Sequence, residues 1–132
     1  MFIKNVITYD YNYAEYIVSD GENDVICMCL SVPLPNNQEP KQDMEISSIY
    51  AFSYKDINIQ IISMNEKEMI QHTSYFGYKL RAKVFDASQA LVIIGKLIIS
   101  LENYFVDGFP KNITDGVYIQ FDVDRLDCII KI

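Results

Sequence analysis

The sequence predicts a small, mainly β domain: an antiparallel, coiled barrel with one short helix. Three observations predict it. Over 78–84 (Tyr-Lys-Leu-Arg-Ala-Lys-Val) apolar and basic residues alternate without a fault, the mark of a strand with one buried and one wet face. After Asp86-Ala87-Ser88-Gln89, the run 91–99 is apolar on both faces apart from Gly95 and Lys96, as in a strand covered on both sides. Half of the 132 residues are hydrophobic, and Ile, Val, Tyr and Phe dominate over Ala and Leu, which favours a pleated surface.

Each element then has a local reason. Residues 2–9 read as a first short strand. Residues 13–19 and 24–32 read as two strands joined by Asp20-Gly21-Glu22-Asn23, whose Asp-Gly pair is a strong hairpin signal. Three prolines within 33–40 predict an exposed loop, the least core-like part of the chain. Strand character resumes over 46–54 and 57–62, with Ile57, Ile59 and Ile61 on one face. A helix is expected over 65–72: Asn65 can cap it, Glu68 completes a capping box, and Met64 and Met69 stand where a hydrophobic staple would.

The hairpin 76–100 follows, with a bulge or bend expected at Gly95. Asp107-Gly108, Pro110 and Asp115-Gly116 punctuate a loop over 102–116. The last strand begins at Val117. Its inward set runs Ile119, Phe121, Val123 and then changes parity to Leu126, Cys128, Ile130, which predicts a β-bulge near Asp124-Arg125. Six or seven strands with one short helix make a single domain over 1–132. The order of hairpin, strand, short helix, hairpin and final strand is similar to that of OB-type barrels, in strand order alone; a β-sandwich is the alternative.

The formal charge of −7 is uneven. Residues 1–70 hold four Lys or Arg against eleven Asp or Glu, so the whole surplus lies there, and 71–132 hold seven of each sign. Such a surplus keeps a protein soluble or offers an acidic patch to a basic partner. Cys27, Cys29 and Cys128 form no disulfide framework and match no common zinc spacing; they read as buried hydrophobes. No secretion signal is evident, and the apolar run over 91–101 is too short for a bilayer and carries Lys96, so a reduced, cytoplasmic protein is expected.

No motif carries a reaction. His72 is the lone histidine, and its neighbours lack a nucleophile signature. Asp122, Asp124 and Asp127 lack the loop of a calcium site and are expected to keep a strand edge soluble. No cofactor and no metal are expected. Tyr11 and Tyr13 share a face in extended chain and lie among Glu15, Asp20, Glu22 and Asp24. Aromatic stacking on single-stranded nucleic acid would need the opposite charge. Tyrosines among carboxylates instead suit a basic protein partner.

The expected function is therefore a non-catalytic bacterial protein-interaction module, in its concrete form an acidic immunity-type inhibitor of a basic toxin. Its partner-binding residues would be Tyr11, Tyr13, Glu15, Asp20, Glu22 and Asp24. An alternative is a β-barrel that holds an anionic ligand or single-stranded nucleic acid on Lys79, Arg81 and Lys83. The bland account of that stripe pairs it across the sheet with Asp122 and Asp124. A further alternative is a self-assembling structural subunit.

Overall fold

The computed structural model describes residues 1–10, 13–29, 34, 38–63 and 67–131. Among these, eleven strands form one mixed sheet that is not closed into a barrel. They are β1 (Phe2–Tyr9), β2 (Ala14–Ser19), β3 (Asp24–Cys29), β4 (Ile46–Phe52), β5 (Gln60–Ile62), β6 (Met69–His72), β7 (Tyr78–Asp86), β8 (Leu91–Ile94), β9 (Leu97–Ser100), β10 (Tyr118–Val123) and β11 (Arg125–Ile130). The order across the sheet is β1-β2-β3-β11-β4-β9-β8-β7-β10-β5, with β6 added to β7 off that path. Two joints are parallel, β3 with β11 and β4 with β9. Each spans two register pairs, and the remaining pairings are antiparallel.

Period-two patterning produced the strands where it was cleanest. Ala14, Tyr16 and Val18 of β2 are buried opposite Cys29, Cys27 and Val25 of β3. The Asp-Gly turn between them forms as expected: Asp20 Oδ1 accepts the Glu22 and Asn23 amides at 2.8 and 2.7 Å, and Gly21 takes φ +104°. On β7, Tyr78, Leu80, Ala82 and Val84 are buried, while Lys79, Arg81 and Lys83 face outward. The inward sets Ile119, Phe121, Val123 and Leu126, Cys128, Ile130 are buried as well. All contribute to one contiguous core that draws on nearly every strand.

Several expectations are corrected. The sheet is open, so neither a closed barrel nor the OB-like order describes it, and the strands hydrogen-bond as one sheet rather than two sandwiched ones. The strand count exceeds six or seven, in part because two expected strands are each a pair and the segment expected as a helix supplies β6. Gly95 marks no bulge: Gly95-Lys96 is the turn of a tight hairpin between β8 and β9, with Ile94 opposite Leu97. The break at Asp124 is more than a bulge, because the chain changes neighbours there. β10 pairs with β7 and β5, whereas β11 pairs with β3 and β4.

The expected helix over 65–72 is not formed in its described part. Met69–His72 is β6, paired with Tyr78–Arg81 of β7, and the cap and staple residues Asn65 and Met64 lie outside the described residues. Only a 3-10 turn at Ala87–Gln89 has helical character among the described residues. Of the loop 33–40, Leu34 and Pro40 are buried, contrary to a wholly exposed loop, while Gln38 and Glu39 are exposed; Pro33 and residues 35–37 lie outside the described residues. Ile57 is buried but precedes β5, and Ile61 is 47 % exposed, so the three isoleucines do not share one covered face.

Two tyrosines secure backbone groups where pairing lapses. Pairing of β3 with β11 begins at Met28, and the Ile26 amide just before it donates to the buried Tyr78 hydroxyl at 2.8 Å. The Tyr104 hydroxyl accepts from the Ser53 amide at 2.6 Å and donates to the Ser53 carbonyl at 2.8 Å, tying the 102–116 loop to the end of β4. Burial pushes the Tyr78 phenol up to about 12, against the opposing pull of the Ile26 amide.

Tyr78→Phe should therefore leave the Ile26 amide unpaired and lower stability by about 1–3 kcal/mol, read as a shift in urea midpoint. An unchanged midpoint would show the bond to be dispensable. Gly95 has φ +58°, and a Cβ there would press on Asp20 and Asn23 side chains. Gly95→Ala should cost about 1–3 kcal/mol in the same assay; a neutral result would mean that the two turns are not locked together.

Candidate functional site

The β4–β5 connection and the turn between β10 and β11 together frame an acidic, aromatic cleft. It begins with a backbone requirement: Phe52 ends β4, and the chain must turn with its amides satisfied. Asp124 Oδ2 accepts the Tyr54 amide at 2.8 Å and the Ser53 hydroxyl at 3.1 Å, while the Asp124 amide donates to the Phe52 carbonyl at 2.8 Å. This clasp presents the Tyr54 ring to solvent at 80 % exposure, edge-on to Phe52 with ring centroids 5.0 Å apart. The Arg125 guanidinium also lies over Phe52, 3.9 Å from the ring centroid, and Arg125 is itself held by Asp127 at 2.6 Å. A cleft of about 410 Å³ opens beside Tyr54, lined also by Ser53, Lys55, Asp56, Asn58, Asp122 and Asp124. Three carboxylates face one lysine there, so the cleft favours a cation.

The residues expected to bind a partner are not gathered in one place. Tyr11 lies outside the described residues. Tyr13 and Glu15 stand at the start of β2, where Glu15 Oε2 accepts the Tyr75 hydroxyl at 3.2 Å; Tyr75 is 54 % exposed and was not foreseen as part of any site. Asp20, Glu22 and Asp24 lie at the far end of the hairpin, roughly 20 Å along the strands.

Two of those three carboxylates are engaged in holding the fold. Besides its own turn, Asp20 accepts the Lys96 amide at 2.7 Å, docking one hairpin turn on another. Asp24 pairs with Lys4 at 2.6 Å, and that bond lowers its carboxyl. Glu22 remains exposed.

The basic stripe is interleaved with acid. Lys79 lies opposite Asp122 in register, Arg81 donates to Gln120 Oε1 at 2.7 Å, and Lys83 lines an open groove of about 600 Å³ with Glu68 and Asp115. The expected cross-sheet partner Asp124 is not one: it turns away to Ser53 and Tyr54.

Most carboxylates with described partners cap backbone amides. Asp86 accepts the Ser88 amide, Asp115 the Ala87 amide at 2.7 Å, and Glu68 the Gly95 amide at 2.7 Å. His72 is exposed, with Nδ1 3.2 Å from the Ser74 carbonyl and its ring 4.4 Å from that of Tyr78. Among the described residues no group of three His, Cys, Asp or Glu is arranged to hold a metal ion, and no helix is long and apolar enough to cross a membrane.

Sequence reasoning missed Tyr54, Asp56 and Tyr75. Tyr54 read as the end of a strand; the signal that could have found it is the polar Ser53 before it and Lys55-Asp56 after it, a turn composition. Comparison with protein-family models, curated proteins and solved structures finds no match for this chain.

The Asp20 carboxyl is pushed up by partial burial, but the Asn23, Glu22 and Lys96 amides outweigh this and hold it well below the usual carboxylate range. Its contribution to stability is thus complete above the unfolded value near pH 4 and is lost as pH falls through the lower folded value. Asp20→Asn should flatten the fall of the urea midpoint between about pH 5 and pH 2. If wild type and variant fell in parallel, Asp20 would not be the coupled group.

Proposed function

We propose that this protein is a non-catalytic interaction module that binds a basic protein, with the cleft beside Tyr54 as its principal contact. The observation that carries this reading is the presentation of Tyr54. Asp124 holds the Tyr54 backbone, and the Tyr54 ring, at 80 % exposure, meets Phe52 edge-on beside Asp56 and Asp122. A backbone already set before binding lets an exposed aromatic ring serve as an interface anchor at a lower ordering cost. Neighbouring carboxylates would receive a lysine or arginine of the partner and raise the rate of encounter. Tyr13, Glu15 and Tyr75 form a second acidic and aromatic patch of the same character.

The immunity-type inhibitor of a basic toxin is the concrete form of this proposal. It accounts for an acidic surplus that exceeds the carboxylates used as caps. Binding of an anion on Lys79, Arg81 and Lys83 is less well supported, since Asp122, Glu68 and Asp115 lie beside that stripe.

Capture from the source cell's nuclease-treated lysate tests the reading when wild type is compared with Tyr54→Ala and with the Asp56→Lys, Asp122→Lys pair. A basic protein released by salt from wild type should be retained about thirty-fold more weakly by Tyr54→Ala, equivalent to about 2 kcal/mol. Charge reversal should slow association and flatten its salt dependence. Equal retention by all three proteins, each with an unchanged circular dichroism spectrum, would remove the cleft from the interface.

A further inference from the structure

Three thiols converge in the core at the joint between β3 and β11. Cys27 and Cys29 occupy the inward face of β3 and Cys128 that of β11, all as thiols and buried to 2 % exposure or less. The joint is parallel and two register pairs long, Met28 with Asp127 and Cys29 with Cys128. Register partners on neighbouring strands have Cα atoms about 4.8 Å apart, inside the range that a disulfide spans. Cys27 lies two residues back along β3, which places it roughly 8 Å from Cys128, beyond that range. The Cys128 thiol is in hydrogen-bonding reach of both neighbours. Beside them lies the buried Tyr16 hydroxyl, whose phenol is pushed up by burial first and then by its proximity to Cys29 and Cys128. This joint thus gathers a phenol and three oxidisable thiols in the core.

We propose that Cys29 and Cys128 form a modification site, a dithiol that a low-molecular-weight disulfide such as oxidised glutathione converts to an intramolecular disulfide. One protein thiolate attacks a glutathione sulfur, forming a mixed disulfide and expelling one glutathione thiolate. The second protein thiolate attacks the protein sulfur of that mixed disulfide and expels the other. The protein loses two hydrogens, and one oxidised glutathione becomes two reduced ones.

The joint is what the bond would reinforce. It fastens the β1-β2-β3 unit to β11, and the disulfide would close a loop running about three-quarters of the length of the chain. In the closed fold the reaction is slow. The hydrogen bond to Cys27, together with burial, keeps the Cys128 thiol protonated well above its ordinary range, so opening of the joint must precede attack.

Incubation of the native protein in glutathione buffers of graded potential, followed by acid quench, alkylation and mass spectrometry, tests this. The expected product has lost two hydrogens, links the peptides of Cys29 and Cys128, melts at a higher temperature than the reduced form, and arises equally in Cys27→Ala. Three alkylated thiols in the most oxidising buffer would overturn the proposal, as would glutathione adducts alone or a linkage through Cys27. Cys29→Ala should abolish the linked product. Because that variant also loses core packing, the peptide map of wild type is the deciding measurement.

Discussion

Backbone amides at strand ends have to be hydrogen-bonded, and this requirement shapes the molecule more than any single packing contact. The eleven strands among the described residues, three to nine residues long, create many ends, turns and changes of neighbour. At these places an amide falls outside the strand ladder and needs another acceptor. Carboxylates meet the need at the 20–23 turn, at Gly95, at Ala87, at Ser88 and at Tyr54. Two phenols meet it at Ile26 and Ser53. The joints of the sheet and the placement of charge are one design.

That use of charge alters how the acidic composition is understood. Asp20, Asp86, Asp115, Asp124 and Glu68 each accept a backbone amide, so they act on the fold before they act on any partner. The same capping produces the functional candidate. By satisfying the turn after β4, Asp124 fixes Tyr54 in water beside Asp56 and Asp122. An acid that serves a structural need therefore also builds a surface suited to cations. The thiols stand at a different kind of joint, one made of two parallel register pairs.

How far the chain could be read varied with the range of the interaction involved. The β2–β3 hairpin and the buried face of β7 were legible because alternation and an Asp-Gly turn are local properties. The breaks at Gly95 and at Asp124 were visible as well, the first as a glycine and the second as a change of parity, but neither signal distinguishes a bulge from a reversal or from a change of neighbours. The 69–72 segment shows why local signals fail. A capping box, a staple and a Met-Ile pair favour a helix in isolation, but in the fold Met69 and Ile70 lie opposite Arg81 and Leu80 of β7, and cross-strand pairing outweighs propensity.

The candidate site was less legible than the fold. Tyr13 and Glu15 could be singled out from the chain, yet Tyr75, whose hydroxyl donates to Glu15, is sixty residues away. The Tyr54 cleft joins residues 53–58 to Asp122 and Asp124, a neighbourhood created only when β10 ends and β11 crosses to β4. Composition settles that the chain is β-rich, and clean alternation settles which face of a strand is buried, because side-chain period and solvent contrast act within a few residues. Which strands become neighbours, which acids become caps and which become surface is decided by long-range pairing, since a backbone amide can be satisfied by any acceptor that the assembled sheet brings to it.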